Sequence, residues 1–216
     1  FQYIKQNIGF VMDECFFYEE LKPLQISNVL EKIYDNWDRD YFENLLNKFN
    51  VDTKKTLKQM SKGMKVKLKI ASAISHKPKL LILDEPMDGL DPVARSEMKD
   101  IFRDFISDGE KTIFISSHIT SDLEDFADYI VYIKNGKIQT VSSKDELMEK
   151  YCLIKCSKDD FKNIDKHDII GVRQSAFGFE VMIENYSDNL KKYENYTMDN
   201  MDLEEIMFFM GREDLK

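Results

Sequence analysis

Cysteine is scarce in this chain. Cys15, Cys152 and Cys156 are the complete set, an odd and sparse count that cannot make a paired disulfide framework and that suits a reducing cytoplasm. Cys152 and Cys156 are spaced to share one strand face, but no further Cys or His cluster supports a metal site, so both read as buried thiols. No apolar run approaches the ~20 residues needed to span a bilayer, and no secretory signal is visible. The chain therefore does not cross a membrane by itself, which leaves docking onto something that does. Basic residues are outnumbered: 31 Lys and Arg against 40 Asp and Glu give a net charge of −9, which argues against a large nucleic-acid interface. Internal repeats and low-complexity tracts are missing. Also missing is any G-x-x-x-x-G-K-[ST] loop, the segment whose backbone N–H groups and lysine cradle phosphates. The first residue is Phe1 rather than Met, and the sequence starts almost inside a strand, as a piece of a longer gene product would.

What is present suffices for one good core, or a core plus a small appendage. The most informative stretch runs from Lys79 to His118. Leu80-Leu81-Ile82-Leu83 predicts a strand buried on both faces, as in a parallel sheet covered by helices. It ends on Asp84 and Glu85, and Pro86 stops it. Thr112-Ile113-Phe114-Ile115 predicts a neighbouring strand that leads into Ser116-Ser117-His118. Ligands in open parallel sheets lie beyond the carboxyl ends of the strands. An aspartate there can hold Mg²⁺ directly or through water, and a neighbouring glutamate pointing the other way can orient or deprotonate an attacking water. The alternative is that both carboxylates merely cap a strand; Gly89-Leu90-Asp91-Pro92 and the later Ser-Ser-His weigh against it.

Around this stretch the pattern alternates strand and helix, which predicts an α/β fold with right-handed crossovers. Ile8–Met12 reads as a strand followed by Asp13-Glu14. Phe16, Phe17 and Tyr18 lie in the next loop, either filling a core beneath it or lining a groove for a partner. Val29, Leu30, Ile33 and Tyr34, then Phe42, Leu45, Leu46 and Phe49, mark two amphipathic helices between Ile26 and Asn50, with Asp38 as a cap and Trp37 as core at their junction. Ser61 caps a third helix whose apolar face is Val66, Ile70, Ala73 and Ile74. A helix N-terminus with a serine and a nearby Gly63 is a ready anion site. A helix over 93–106 comes next, with Met98, Ile101, Phe102 and Phe105 inward. Ser121-x-x-Glu124 and Ser143-x-x-Glu146 are capping boxes. Asn135-Gly136 is a hairpin turn between Tyr129–Ile133 and Ile138–Val141. Beyond Tyr151 come short strands over 152–156 and 171–184, with a turn at Ala176-Phe177-Gly178, and a closing helix over 203–210 stopped by Gly211.

Taken together, these motifs resemble the nucleotide-binding subunit of an ATP-binding cassette (ABC) transporter, over essentially the whole chain. In that family Leu80–Glu85 looks like the Walker B strand, so the resemblance implies Asp84 for Mg²⁺ and Glu85 as the water-activating carboxylate. Gly89-Leu90-Asp91 resembles the D-loop and His118 the switch histidine that senses the γ-phosphate. Ser61-Lys62-Gly63 resembles the signature motif. Ser61, Gly63 and Asp91 would thereby meet ATP held by the opposite subunit of a head-to-tail dimer. The loop after Met12 resembles the Q-loop. The implied fold is α/β and P-loop NTPase-like, with a mostly parallel sheet, a helical signature subdomain over about 21–76 within a partial ATPase domain over 1–150, and a small α+β appendage over 151–216. The implied partners are an integral membrane permease and a second ATPase subunit, as a homo- or heterodimer, with no nucleic acid; the implied location is the cytoplasmic face of the cell membrane.

Three departures from the family pattern carry consequences. Lys62 and Met64 stand where the usual signature has a glycine and a glutamine. This variant resembles bacterial exporter ATPases related to antibiotic-resistance systems. Asp13 (or Glu14) stands at the Q-loop position, where a carboxylate can bind Mg²⁺ but cannot donate a hydrogen bond when ionised. The phosphate loop is absent, together with an upstream part of roughly 60 residues or more, about two βαβ-sized units. The expectation is an ATPase subunit of a bacterial exporter whose 216 residues alone bind ATP poorly and do not hydrolyse it. Two other readings stand beside it: a regulatory or scaffolding partner that donates only the signature motif, and a soluble cassette ATPase, which would need a coiled coil or second cassette that is not visible.

Overall fold

The computed structural model describes residues 2–176 and 178–211. The chain falls into two compact units that divide between His118 and Ile119. Phe177, at the expected turn, lies outside the described residues.

The first unit is built on α1 (Gln2–Gln6), β1 (Ile8–Val11), α2 (Pro23–Leu30), α3 (Arg39–Lys48), α4 (Lys62–Ile74), β2 (Leu80–Asp84), α5 (Pro92–Ile106) and β3 (Thr112–Ser116). The three strands form a parallel sheet in the order β1-β2-β3. Connections through helices explain the parallel pairing, since a parallel partner needs a long crossover. In register, Gly9, Leu81 and Ile113 form one row and Val11, Leu83 and Ile115 the next, all on the same face. That face is closed over β1 and β2, where Val11, Leu81 and Leu83 are buried, and partly closed over β3, where Ile113 and Ile115 are half buried. Gly9 has to be glycine there, because a Cβ would come within 2.4 Å of the Ala73 carbonyl oxygen of α4.

The opposite face departs from the expectation of a strand buried on both sides. Phe10, Ile82 and Phe114 align across the sheet, and Phe10 is 51% and Phe114 61% exposed. Leu80 and Ile82 are only half buried. The strand is apolar on both sides, but the helices close one side only.

Before β2 the chain is helical. Phe42, Leu45, Leu46 and Phe49 from α3 and its C-cap are buried, as are Ile26, Leu57, Val66, Leu68 and Ile70, and α2 and α3 both lie against α4. Asp38 caps α3 by accepting from the Tyr41 amide, and Ser61 caps α4 by accepting from the Met64 amide at 3.2 Å, as the sequence predicts. The first of these helices is shorter than its apolar spacing predicts. It stops at Leu30, its buried face is Pro23, Ile26, Ser27 and Leu30, and Val29 and Ile33 are exposed. Trp37 is half buried and donates its indole N–H to Ser27 Oγ at 3.1 Å.

The second unit begins with α6 (Thr120–Glu124), whose N-cap is Ile119 and not the expected Ser121. The antiparallel hairpin β4 (Tyr129–Lys134) and β5 (Lys137–Ser143) turns on Asn135 and Gly136 with φ of 52° and 71°, the left-handed pair that a two-residue hairpin turn requires. α7 (Lys144–Lys150) carries the predicted capping box of Ser143 and Glu146. A four-stranded antiparallel sheet follows, in the order β7-β8-β6-β9, from β6 (Tyr151–Cys156), β7 (Gly171–Ser175), β8 (Gly178–Glu184) and β9 (Thr197–Asn200). α8 (Ser187–Lys192) and α9 (Leu203–Gly211) complete the unit. Alternation along β6 feeds two cores: Tyr151 and Leu153 join Ile130, Leu147, Ile206 and Phe209, while Cys152 and Ile154 join Val181, Ile183 and Tyr193. Ile130 and Leu147 thus tie the hairpin and α7 to the C-terminal sheet, ahead of the boundary after residue 150 that the sequence reading drew. No helix among the described residues is long and apolar enough to cross a membrane.

Candidate functional site

β2 and β3 run in register to their carboxyl ends, where Asp84 pairs with Ser116. The Ser116 hydroxyl donates to Asp84 Oδ1 at 2.6 Å. One residue on, the backbone reverses: Glu85 has φ of +46°, a left-handed conformation that costs a non-glycine residue roughly 1–2 kcal/mol. Its amide donates to the Ser116 carbonyl and to Ser116 Oγ, both at 3.2 Å. The strained turn separates the two carboxylates. Asp84 faces the Ser116 hydroxyl, and Glu85 Oε2 accepts from His118 Nδ1 at 2.9 Å. Such outliers cluster where geometry serves chemistry.

The loop that follows carries Asp88, Gly89 and Asp91. Gly89 has φ of +72°, and Leu90 is buried. Asp91 is the N-cap of α5, accepting from the Val93 and Ala94 amides at 3.0 Å each. These bonds, that from Ala94 first, hold its carboxyl below the usual carboxylate range. Against this loop lies the start of α4. Lys62 Nζ is 2.5 Å from Asp88 Oδ2, which lowers the Asp88 carboxyl and raises the Lys62 ammonium from their ordinary values. The Ser61–Gly63 segment and the loop from Glu85 to Asp91 therefore meet within one chain.

Asp13 sits differently. Lys69 Nζ, on α4, donates to the Met12 carbonyl at 2.6 Å and the Asp13 carbonyl at 2.8 Å. Burial pushes the Lys69 ammonium below its ordinary pKa. The clamp fixes the backbone after β1 and leaves the Asp13 side chain exposed. Beside it is a cleft of about 110 Å³ lined by Phe10, Phe16, Phe17, Tyr34, Lys69 and His76 among others. Phe16 and Tyr18 are 71% and 80% exposed, so of the two readings of this aromatic loop, packing on a core does not describe these two side chains.

Of the residues singled out from sequence, Asp84, Glu85 and His118 come together at the strand ends, while Ser61, Gly63 and Asp91 flank the adjoining loop. The sequence alone predicts no role for Ser116, Asp88 or Lys69. Ser116 was within reach, since two strands paired in parallel with equal lengths put Asp84 beside it. The Lys62–Asp88 and Lys69 contacts depend on how α4 packs and leave no sequence signal. Cys152 and Cys156 are thiols raised in pKa by burial. No group of three or more His, Cys, Asp or Glu among the described residues is arranged to hold a metal ion.

Comparison with known proteins agrees with this geometry. Residues 2–88 match the family model described as "ABC transporter". The chain is 28% identical over 192 residues to the ABC transporter ATP-binding protein YtrB of Bacillus subtilis (strain 168), covering 88% of this chain and 66% of that protein. It is 41% identical over 136 residues to the lantibiotic transport ATP-binding protein SrtF of Streptococcus pyogenes, covering 62% and 58%. It is 36% identical over 137 residues to the bacitracin transport ATP-binding protein BcrA of Bacillus licheniformis, covering 62% and 45%. The alignments thus span between 45% and 66% of the length of these relatives. A solved structure of the ATP-binding subunit of an ABC transporter superposes with a TM-score of 0.61 at 25% identity, covering 68% of this chain and 62% of that one. These relationships lead to one conclusion: residues 2–88 belong to the ABC transporter family of ATP-binding domains, and the chain is homologous to bacterial lantibiotic and bacitracin transport ATP-binding proteins.

Proposed function

We propose that these residues form the hydrolytic half of an ATPase site in a bacterial exporter subunit. The observation that carries the reading is the Glu85–His118 contact of 2.9 Å beside the Asp84–Ser116 contact of 2.6 Å, at the carboxyl ends of adjacent parallel strands. Glu85 takes a proton from the water that attacks the γ-phosphorus of ATP, and the bond to ADP breaks on the opposite side. His118 orients Glu85 and meets the γ-phosphate. Asp84 fits Mg²⁺: it is an exposed carboxylate with a serine hydroxyl beside it, and Mg²⁺ takes one or two carboxylates, keeping waters for the rest. Bound there, the ion would neutralise charge on the phosphate oxygens. Asp13, whose carboxylate is exposed near the same strand ends, is a second candidate contact to it. Ser61, Gly63 and Asp91 serve nucleotide held by a second ATPase subunit across a dimer.

The phosphate-gripping half comes from outside these 216 residues. The open sheet face of Phe10, Ile82 and Phe114 supports this, because an apolar row of that kind wants a covering segment. Phe16, Tyr18 and the adjacent cleft receive an apolar element of a membrane permease, on whose cytoplasmic side the subunit docks. The names of SrtF and BcrA support export of an antibiotic-type peptide as the cargo class. The reading is tested by supplying a phosphate-binding loop in the same polypeptide and measuring phosphate release with wild-type and Glu85→Gln chains. Equal rates in the two would sink it.

A further inference from the structure

We propose that Lys62 is a positioning residue, a strap that ties the loop between Glu85 and Asp91 to the first turn of α4, so that a nucleotide group engaging Ser61 and Gly63 also sets the attitude of Glu85. The inference rests on the ATPase reading above for its consequence, but its geometry stands apart from it.

Three contacts make the strap. The Lys62 ammonium reaches Asp88 Oδ2 at 2.5 Å. The aliphatic stem of Lys62 lies across Gly89: a Cβ built on that glycine would come 2.9 Å from Lys62 Cδ and 3.2 Å from Cε. One residue further along each segment they come close again, since a Cβ on Gly63 would stand 3.4 Å from Leu90 Cδ2. Gly89 is therefore required twice, by its φ of +72° and by the lysine over it.

Elsewhere the loop is anchored by the buried Met87 and Leu90 and by Arg95 Nε, which donates to the Leu90 carbonyl at 3.2 Å; Asp88 and Gly89 lie between these anchors, under Lys62. The loop's internal backbone bonds are those from the Asp88 amide to the Glu85 carbonyl and from the Leu90 amide to the Met87 carbonyl, each at 3.2 Å. It starts at the strained Glu85 that bonds His118 and ends at the Asp91 cap of α5. Lys62 and Asp88 are both exposed enough for salt to screen their attraction, so the pair adds little to global stability. What it changes is local: how far the loop strays from α4, and with it how often Glu85 is aligned.

The test uses amide hydrogen exchange on this 216-residue chain in four forms: wild type, Lys62→Met, Asp88→Asn and the reversed pair Lys62→Asp/Asp88→Lys. A single exposed ion pair predicts about two- to fivefold faster exchange at the Asp88 and Leu90 amides in each single variant. The wild type is expected to show the same gain at high salt, and the reversed pair to recover at least half the protection. Unchanged exchange in both single variants, or a reversed pair no better than either, would overturn the proposal. A second arm measures ATP hydrolysis in the polypeptide that includes a phosphate loop, where Lys62→Met should lower kcat by a similar factor and leave KM unchanged. If the wild type hydrolyses ATP and Lys62→Met matches it, the strap is refuted while the ATPase reading survives. If the wild type does not hydrolyse, the ATPase reading falls and the exchange result alone decides the strap.

Discussion

His118 Nδ1 and Glu85 Oε2 lie 2.9 Å apart, joining the ends of two different strands. The contact depends on the reversed backbone at Glu85, which turns its carboxylate away from Asp84 and toward the histidine. A carboxylate so held can accept a proton from water; an amide cannot. Glu85→Gln is therefore expected to lower ATP hydrolysis by about 10²–10⁴-fold in a polypeptide that includes a phosphate loop, with nucleotide binding retained. His118→Ala should fall between that variant and the wild type. Phosphate release together with filter-bound nucleotide separates the two effects; loss of binding in Glu85→Gln would count against a purely chemical role.

Gly9 offers a test of the packed face. An added methyl would meet the Ala73 carbonyl oxygen at 2.4 Å and Leu81 Cδ1 at 2.8 Å, and neither backbone nor buried leucine can retreat without disturbing its neighbours. Gly9→Ala should destabilise the chain by about 1–3 kcal/mol, read as a shift in the urea unfolding midpoint. An unshifted midpoint would mean that α4 and β1 are not in the contact described.

Much of this was legible in the residues. Four large apolar side chains ending in two carboxylates fixed β2 and its polar tip, and Ser61, Asp38 and Asn135-Gly136 marked helix starts and a turn through local chemistry that needs no tertiary context. Whether the sheet was covered on one side or two was not legible, because Leu80 and Ile82 look the same in sequence whether or not a helix lies over them. Short elements such as α8 and β9 carry too few residues for a periodic pattern. The Lys62–Asp88 and Lys69 contacts bridge segments distant in sequence and exist only once α4 is packed.

His76 predicts a pH dependence of stability. It is buried, its Nε2–H donates to the Ile8 carbonyl at 3.1 Å, and its ring stacks on Tyr34 at 3.9 Å. Burial, ahead of its backbone contacts, lowers its pKa below the ordinary histidine value. The unfolded chain then takes up a proton near pH 6.5, where the folded chain does not. Its contribution is present in full above that pH and is lost as the pH falls below it, toward the lower folded value. Unfolding midpoints of the wild type should drop between pH 7.5 and 5.5, and His76→Gln should flatten that drop. Equal drops in both chains would show that another group is responsible.

On the function proposed above, the chain holds the water-activating half of a composite site and not the half that grips phosphate. The most direct test is equilibrium ATP binding and hydrolysis by this 216-residue chain, in Mg²⁺, beside the same chain joined to a phosphate-binding loop. The prediction is weak binding and no hydrolysis by the first, and hydrolysis that depends on Glu85 in the second. Micromolar ATP affinity or measurable turnover by the 216 residues alone would contradict it.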